Sequence, residues 1–271
     1  SPEDTDARVT SVVAPLLARL AEWSRIQVSM HLAGPLLERI VSAHPTTLET
    51  LIALVRNGRV ELLGNGYYDP FLGALPDHDA SGQIHLMNGL LSRTLGVQPR
   101  GLWLRRSAWS PSLTGLLHRC GFTYTLLDEA ALYKRTRRQV DGYFVTERDG
   151  FTSAVFPIHR TLQEQLMAPG ASVEAILRER TDDSGRRMAV MAFEDIRDLD
   201  TVKSIAVLLN RVRGHGDWIQ TRTFQAFMER EQPAGRIYPA TPGAVAGRGG
   251  QTSIIDWEQC LADYPEANFL H

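Results

Sequence analysis

Residues 60–70 read VELLGNGYYDP, a short β-type run that breaks into two glycines, two tyrosines and an aspartate before a proline. Valine and leucines around one glutamate fit a strand, and Gly64 and Gly66 let the backbone beyond it turn tightly and come close to a ligand. Tyr67 and Tyr68 bring ring faces and hydroxyls, and Asp69 brings an acceptor. Taken alone, the stretch reads equally as a plain tight turn ended by proline. Its neighbours decide between the two readings.

Upstream, Val9, Val12, Val13, Leu16, Leu17 and Leu20 recur at helical spacing. Residues 26–32 (IQVSMHL) then form a predicted strand, and helices are predicted at 35–41 and 48–57, with Pro35 suited to a first turn and Thr46 or Thr47 to a cap. Downstream, the pattern predicts a helix over 79–95, a strand at 101–104, a helix over 111–120 and a strand at 124–127. A hairpin joins 142–147 to 153–157, and the apolar run 188–193 (MAVMAF) reads as a strand. A helix over 201–213, a last strand at 218–220 and a helix over 223–230 complete the series. Strands that alternate with helices argue for parallel β/α units. Side chains suited to chemistry fall just after the strands, which is the face where barrels build their sites. The expected organisation is one barrel domain over 1–231, followed by a Gly-, Pro- and Ala-rich loop and a post-barrel segment over 232–271.

Composition narrows the function. The chain has 271 residues, 29 Lys+Arg against 31 Asp+Glu and a formal charge of −2, so neither nucleic acid nor a membrane surface has electrostatic support as a partner. The short basic stretch KRTRR at 134–138 is the densest run of like charge. Two cysteines, Cys120 and Cys260, fit a reducing compartment, and a cytoplasmic location is the expectation. No stretch approaches the roughly 18 apolar residues of a membrane span.

Two further segments carry chemistry. Residues 101–109 (GLWLRRSAW) place Trp103 and Trp109 about a strand end, and indole faces suit the C–H faces of sugars. Residues 193–198 (FEDIRD) bring Glu194 and Asp195 out of an apolar strand. Paired carboxylates there suit acid/base work, or else cap the next helix. His31, at the end of a predicted strand, is placed to reach the mouth, although a lone strand histidine is commonly a hydrogen-bonded structural residue.

In order, HLAGPLLE (31–38), GRVELLGNGYYDP (58–70), LPDHDASGQI (75–84), GLWLRRSAW, LDEAAL (127–132), DGYFVTE (141–147), AVFPI (154–158), GRIYPATPG (235–243) and DYPEANFLH (263–271) resemble glycoside hydrolase family 57. The likeness is to its 4-α-glucanotransferase and α-amylase branch. It implies a (β/α)7 barrel, α-1,4-glucan or maltooligosaccharide as ligand, no cofactor and no metal, and a retaining mechanism with a carboxylate nucleophile and a carboxylic acid/base.

The departures cluster at the mouth. Where the family motif carries its nucleophilic glutamate, this sequence has Arg106, a cation of the wrong sign beside an oxocarbenium-like transition state and unable to attack carbon. Asp128 and Glu129 match a family acidic pair, but a usual histidine is replaced by Ala131. Asp195, or Glu194, retains a carboxyl at the acid/base position, and Asp69 replaces a sugar-contacting glutamate. The resemblance also implies a strand before the first helix of this sequence; without it two strand edges would be open, so upstream residues or another segment are expected to close the barrel.

The resulting expectation is an α-glucan-recognising barrel that has lost retaining catalysis, with Tyr67, Tyr68, Asp69, Trp103, Trp109, Asp128 and His31 about the ligand. The alternative is an active α-glucan hydrolase or 4-α-glucanotransferase using a displaced carboxylate, with Asp195 as acid/base; an inverting variant would take Asp69 or Asp128 as base. A metal-dependent deacetylase is disfavoured because no two histidines lie at i, i+4 spacing. In a purely structural role, Arg106 would pair with Asp195 or Asp128 inside the barrel, and an arginine bridged to Asp195 by itself favours the non-catalytic readings.

Overall fold

The computed structural model describes residues 2–133, 141–180 and 188–239. The chain opens with α1 (Pro2–Arg8), a π-helical turn (Val9–Val13) and α2 (Ala14–Glu22), so the predicted first helix is present with a bulged turn inside it. There follow β1 (Val28–Met30), α3 (Gly34–Ala43), α4 (Pro45–Arg56), β2 (Val60–Leu62), α5 (Asp77–Leu95), β3 (Gly101–Leu102), α6 (Leu113–Arg119), β4 (Tyr124–Asp128) and α7 (Glu129–Tyr133). The second half holds β5 (Phe144–Arg148), β6 (Phe151–Ile158), α8 (Arg160–Met167), α9 (Val173–Arg178), α10 (Leu199–Gly214), α11 (Phe224–Met228) and β7 (Gly235–Arg236).

The helices form where the pattern asks. In α5, Asp77 and Asp79 sit in the first turn and Gly96 ends the helix at φ 68°. Between them Ala80, Ile84, Met87 and Leu91 line the buried face at spacings of three and four. The expected threonine cap of α4 is corrected: the helix begins at Pro45, placing Thr46 and Thr47 inside its first turn.

β1 and β2 pair in parallel, Val28 opposite Val60. Gly64 then carries the sheet across to β3, donating to the Gly101 carbonyl at 2.9 Å and accepting from the Trp103 amide at 2.9 Å. Glycine is required on both sides of this junction. A Cβ on Gly64 would lie 2.6 Å from the Phe122 ring, and one on Gly101 would lie 2.1 Å from the Tyr124 ring. β3 pairs with β4, and β4 with β6, all parallel, while β5 is antiparallel to β6 and carries β7 on its other edge.

The expected strand at 188–193 has no regular ladder, yet it follows the end of β6. The His159 amide donates to the Val190 carbonyl at 2.8 Å, and the Val190 amide donates to His159 Nδ1 at 3.0 Å. The expected strand at 218–220 is corrected to an irregular connection, and the Thr221 hydroxyl just after it accepts from the amide of Gln27, the residue before β1, at 2.8 Å. β7 pairs with β5 and the buried Ile237 amide donates to Val145 at 3.0 Å, so the segment after 232 starts by packing on the barrel. Residues 240–271 and the basic stretch 134–138 lie outside the described residues.

Candidate functional site

The parallel strands β1–β4 and β6 point their C-terminal ends toward one mouth, and a cavity of about 2100 Å³ opens there. Its lining includes His31, Tyr68, Asp69, Trp103, Arg105, Glu194 and Asp195. The loop after β2 is built by Asn65, which is fully buried. Its Oδ1 accepts from the Gly66 amide at 2.7 Å, and its Nδ2 donates to Asp69. The Tyr67 and Tyr68 amides are held by the Gln83 carbonyl and side chain, both at 3.1 Å, and the Asp69 amide bonds Gly66 at 3.0 Å. These contacts force Asp69 into the left-handed region at φ 55°. Asp195, on the opposite loop, adopts φ 50°, and Ser107, after β3, φ 52°. Non-glycine residues held there are a cost that surrounding contacts must offset, and such residues cluster at functional sites.

Arg105 spans the mouth between the two aspartates. Its Nη2 lies 3.5 Å from Asp195 Oδ1 and its Nη1 4.0 Å from Asp69 Oδ2. Asp69 also has His31 Nε2 at 3.4 Å, while His31 Nδ1 lies 3.3 Å from the Leu63 carbonyl. Burial would raise the Asp69 carboxyl, but His31, Arg105 and Asn65 together hold it below the ordinary carboxylate range. It is a fixed anion at neutral pH.

A second arginine serves the other pair. Arg160, the first residue after β6 and its short turn, donates from Nε to Asp128 Oδ2 at 3.2 Å, from Nη1 to the Ala192 carbonyl at 3.0 Å, and from Nη2 to Glu194. Asp128 is buried; its amide donates to the Ser107 hydroxyl at 3.0 Å, and its Oδ1 accepts from the Ala130 amide at 2.9 Å. Asp69, Glu194 and Asp195 on the cavity lining, and buried Asp128, therefore each face a guanidinium from Arg105 or Arg160, and Asp141, also on the lining, pairs with Arg180 at 2.9 Å.

Several expected site residues stand elsewhere. Tyr67 is buried in the core, its ring pressed against Gly34, and burial together with Glu38 pushes its hydroxyl up to about 12. Trp109 is 3 % exposed and packs among Leu104, Leu113 and Leu117. Apolar area drives both rings inward, leaving Tyr68, 67 % exposed, and half-buried Trp103 as the aromatic faces of the mouth. Arg106 has its backbone in the 3₁₀ turn Arg105–Ser107, and its side chain lies outside the described residues. Asp195 faces Arg105 and Asp128 faces Arg160, while the expected pairing of Arg106 with either aspartate lies outside the described residues. Glu194 and Asp195 do not cap α10; Asp198 does, accepting from the Thr201 amide at 2.7 Å. Asn65, Arg105 and Arg160 were missed in the sequence, although each follows a strand by one to three residues, the rule that selects mouth positions.

Parallel strands wrapped by helices, with carboxylates and aromatic faces at the strand ends, place the chain in the (β/α)7 barrel class. The family described as "Glycosyl hydrolase family 57" matches residues 9–178, and the chain belongs to it. It is 25 % identical over 241 residues to "Alpha-amylase 1" of Dictyoglomus thermophilum, covering 84 % of this chain and 35 % of that protein. It is 30 % identical over 179 residues to the "4-alpha-glucanotransferase" of Thermococcus litoralis, covering 65 % of this chain and 27 % of that protein. The solved 4-alpha-glucanotransferase from that organism superposes at a TM-score of 0.77 with 23 % identity, over 90 % of this chain and 38 % of that one. A family 57 branching enzyme from Thermococcus kodakaraensis superposes at 0.69 with 14 % identity, over 88 % of this chain and 69 % of that one. The chain thus spans about a third or less of the length of the curated relatives it matches.

Proposed function

We propose that this barrel recognises α-1,4-glucan without catalysing retaining hydrolysis or transfer. The observation that carries this reading is that Asp69, Asp128, Glu194 and Asp195 are each engaged by Arg105 or Arg160, while position 106 is itself an arginine. A retaining nucleophile is a carboxylate about 5–5.5 Å from the acid/base carboxyl. A carboxylate neutralised by a guanidinium is a weaker nucleophile, and an acid/base beside a fixed cation is biased toward its ionised form. Tyr68 and Trp103 remain at the cavity with faces for sugar rings, and the relatives' names set the ligand class as α-glucan. Two cysteines and the absence of a candidate membrane-crossing helix among the described residues accord with a protein of a reducing, aqueous compartment.

The test is turnover of maltooligosaccharides by the protein and by Arg106→Glu, together with calorimetric titration. The expected outcome is binding without turnover in the unaltered protein. Rapid turnover abolished by Asp195→Asn would overturn the reading, and the absence of heat with maltohexaose at millimolar concentration would remove glucan recognition altogether.

A further inference from the structure

The two arginines of the mouth are not alike. Arg160 donates from all three of its nitrogens at contact distance, to two carboxylates and a carbonyl. Arg105 sits 3.5 and 4.0 Å from its aspartates, beyond the roughly 2.7–2.9 Å of a charge-assisted hydrogen bond. Its Nε is buried without a hydrogen-bond partner among the described residues, and its side chain is 33 % exposed toward the cavity that Tyr68, Trp103 and His31 line. Asp69 accepts from Asn65 independently of Arg105, and both aspartates sit on loops that hold them at positive φ.

We infer that Arg105 is a displaceable plug: its guanidinium occupies a glucose-binding subsite between Asp69 and Asp195, and ligand enters as the side chain swings out. This rests on the proposed glucan recognition and adds the means by which it is restrained. The chemistry of the exchange is balanced. The plug presents N–H donors to two carboxylates, and a glucose unit presents hydroxyl donors to the same oxygens while laying its C–H face on Trp103 or Tyr68. The long, part-exposed ion pairs are weak enough to be broken by such a ligand. Arg160, held by Asp128, Glu194 and the Ala192 carbonyl, stays in place and keeps the loop that carries Asp195 against the end of β4.

The sign of one substitution separates a plug from a contact residue. Maltohexaose, an uncharged ligand, is titrated calorimetrically into the protein and into Arg105→Met, which keeps the stem and removes the charge, at 0.05 M and 0.5 M sodium chloride. The expected results are about two- to tenfold tighter binding by the variant, and binding by the unaltered protein that tightens with salt, because salt weakens the internal pairs that compete with the sugar. In the variant that salt dependence disappears. Equal or weaker binding by Arg105→Met, with the unaltered protein indifferent to salt, overturns the plug and leaves glucan recognition standing. No heat with either protein removes both. Should the variant fail to fold, the salt dependence of the unaltered protein decides by itself.

Discussion

The inner wall of the barrel and its mouth each hold carboxylates, and they are treated in opposite ways. Glu61, in the middle of β2, accepts from the Ser29 hydroxyl at 2.7 Å, the Tyr124 hydroxyl at 2.6 Å, and the Phe224 and Gln225 amides at 2.8 and 3.3 Å. One side chain thereby joins β1, β4 and the start of α11. The Tyr124 hydroxyl is driven far above its ordinary range by burial and by Glu61, so it remains a donor. At the mouth, Asp69 and Asp195 share a single arginine at 3.5–4.0 Å on loops bent into left-handed conformations. Glu61 is saturated by donors fixed in the scaffold, whereas Asp69 and Asp195 share one guanidinium at longer range.

The contrast is broken most directly at Glu61. Glu61→Leu should cost about 3 kcal/mol or more in urea unfolding, since orphaned donors cost about 1–3 kcal/mol each and Tyr124 cannot turn to water. Gly101→Ala, at the sheet junction above the Tyr124 ring, should cost about 1–3 kcal/mol by overpacking, read as a lowered unfolding midpoint with unchanged slope. Arg160→Met should cost about 2 kcal/mol, because it leaves buried Asp128 without its cation while Arg160 itself is partly exposed.

Acid sharpens the comparison further. The Asp69 carboxyl is held below its unfolded value, and so are Asp6, by Arg39 and His44, and Asp198, by Thr201. Groups with depressed native values contribute stability that is full above the unfolded carboxylate value near 4 and is lost as pH falls through the native one. Thermal midpoints should therefore be level between pH 5 and 7 and drop below about pH 4, and Asp69→Asn should flatten part of that drop. The smallest expected effect is Arg105→Met on stability, within about 0.5 kcal/mol, because long, part-exposed ion pairs contribute little. A loss as large as that of Arg160→Met would show that Arg105 is a structural lock like its neighbour.

Much of this was legible in the chain of letters. Hydrophobic periods placed most of the strands and helices, because burial of one face imposes a spacing that survives any tertiary context. The two strands that failed, 188–193 and 218–220, did so for a shared reason. Apolar content says that a segment is buried, whereas a ladder requires a neighbouring backbone in register, and at 188–193 the partners are His159 and Gln163 side chains. The helices at 160–178 left little periodic signal, since each is only two turns or so long.

The sequence by itself determined the barrel family and the presence of an arginine at position 106, since these depend on residue identity and order along strands. Only the tertiary structure decided which arginine meets which carboxylate, and which aromatic faces the cleft. Arg105 bridges Asp69 and Asp195, and Tyr68 and Trp103 line the cavity while Tyr67 and Trp109 are buried. Adjacent residues at a strand end point in different directions, and which one reaches the cleft is set by the turn after the strand, here the left-handed bends at Asp69, Ser107 and Asp195.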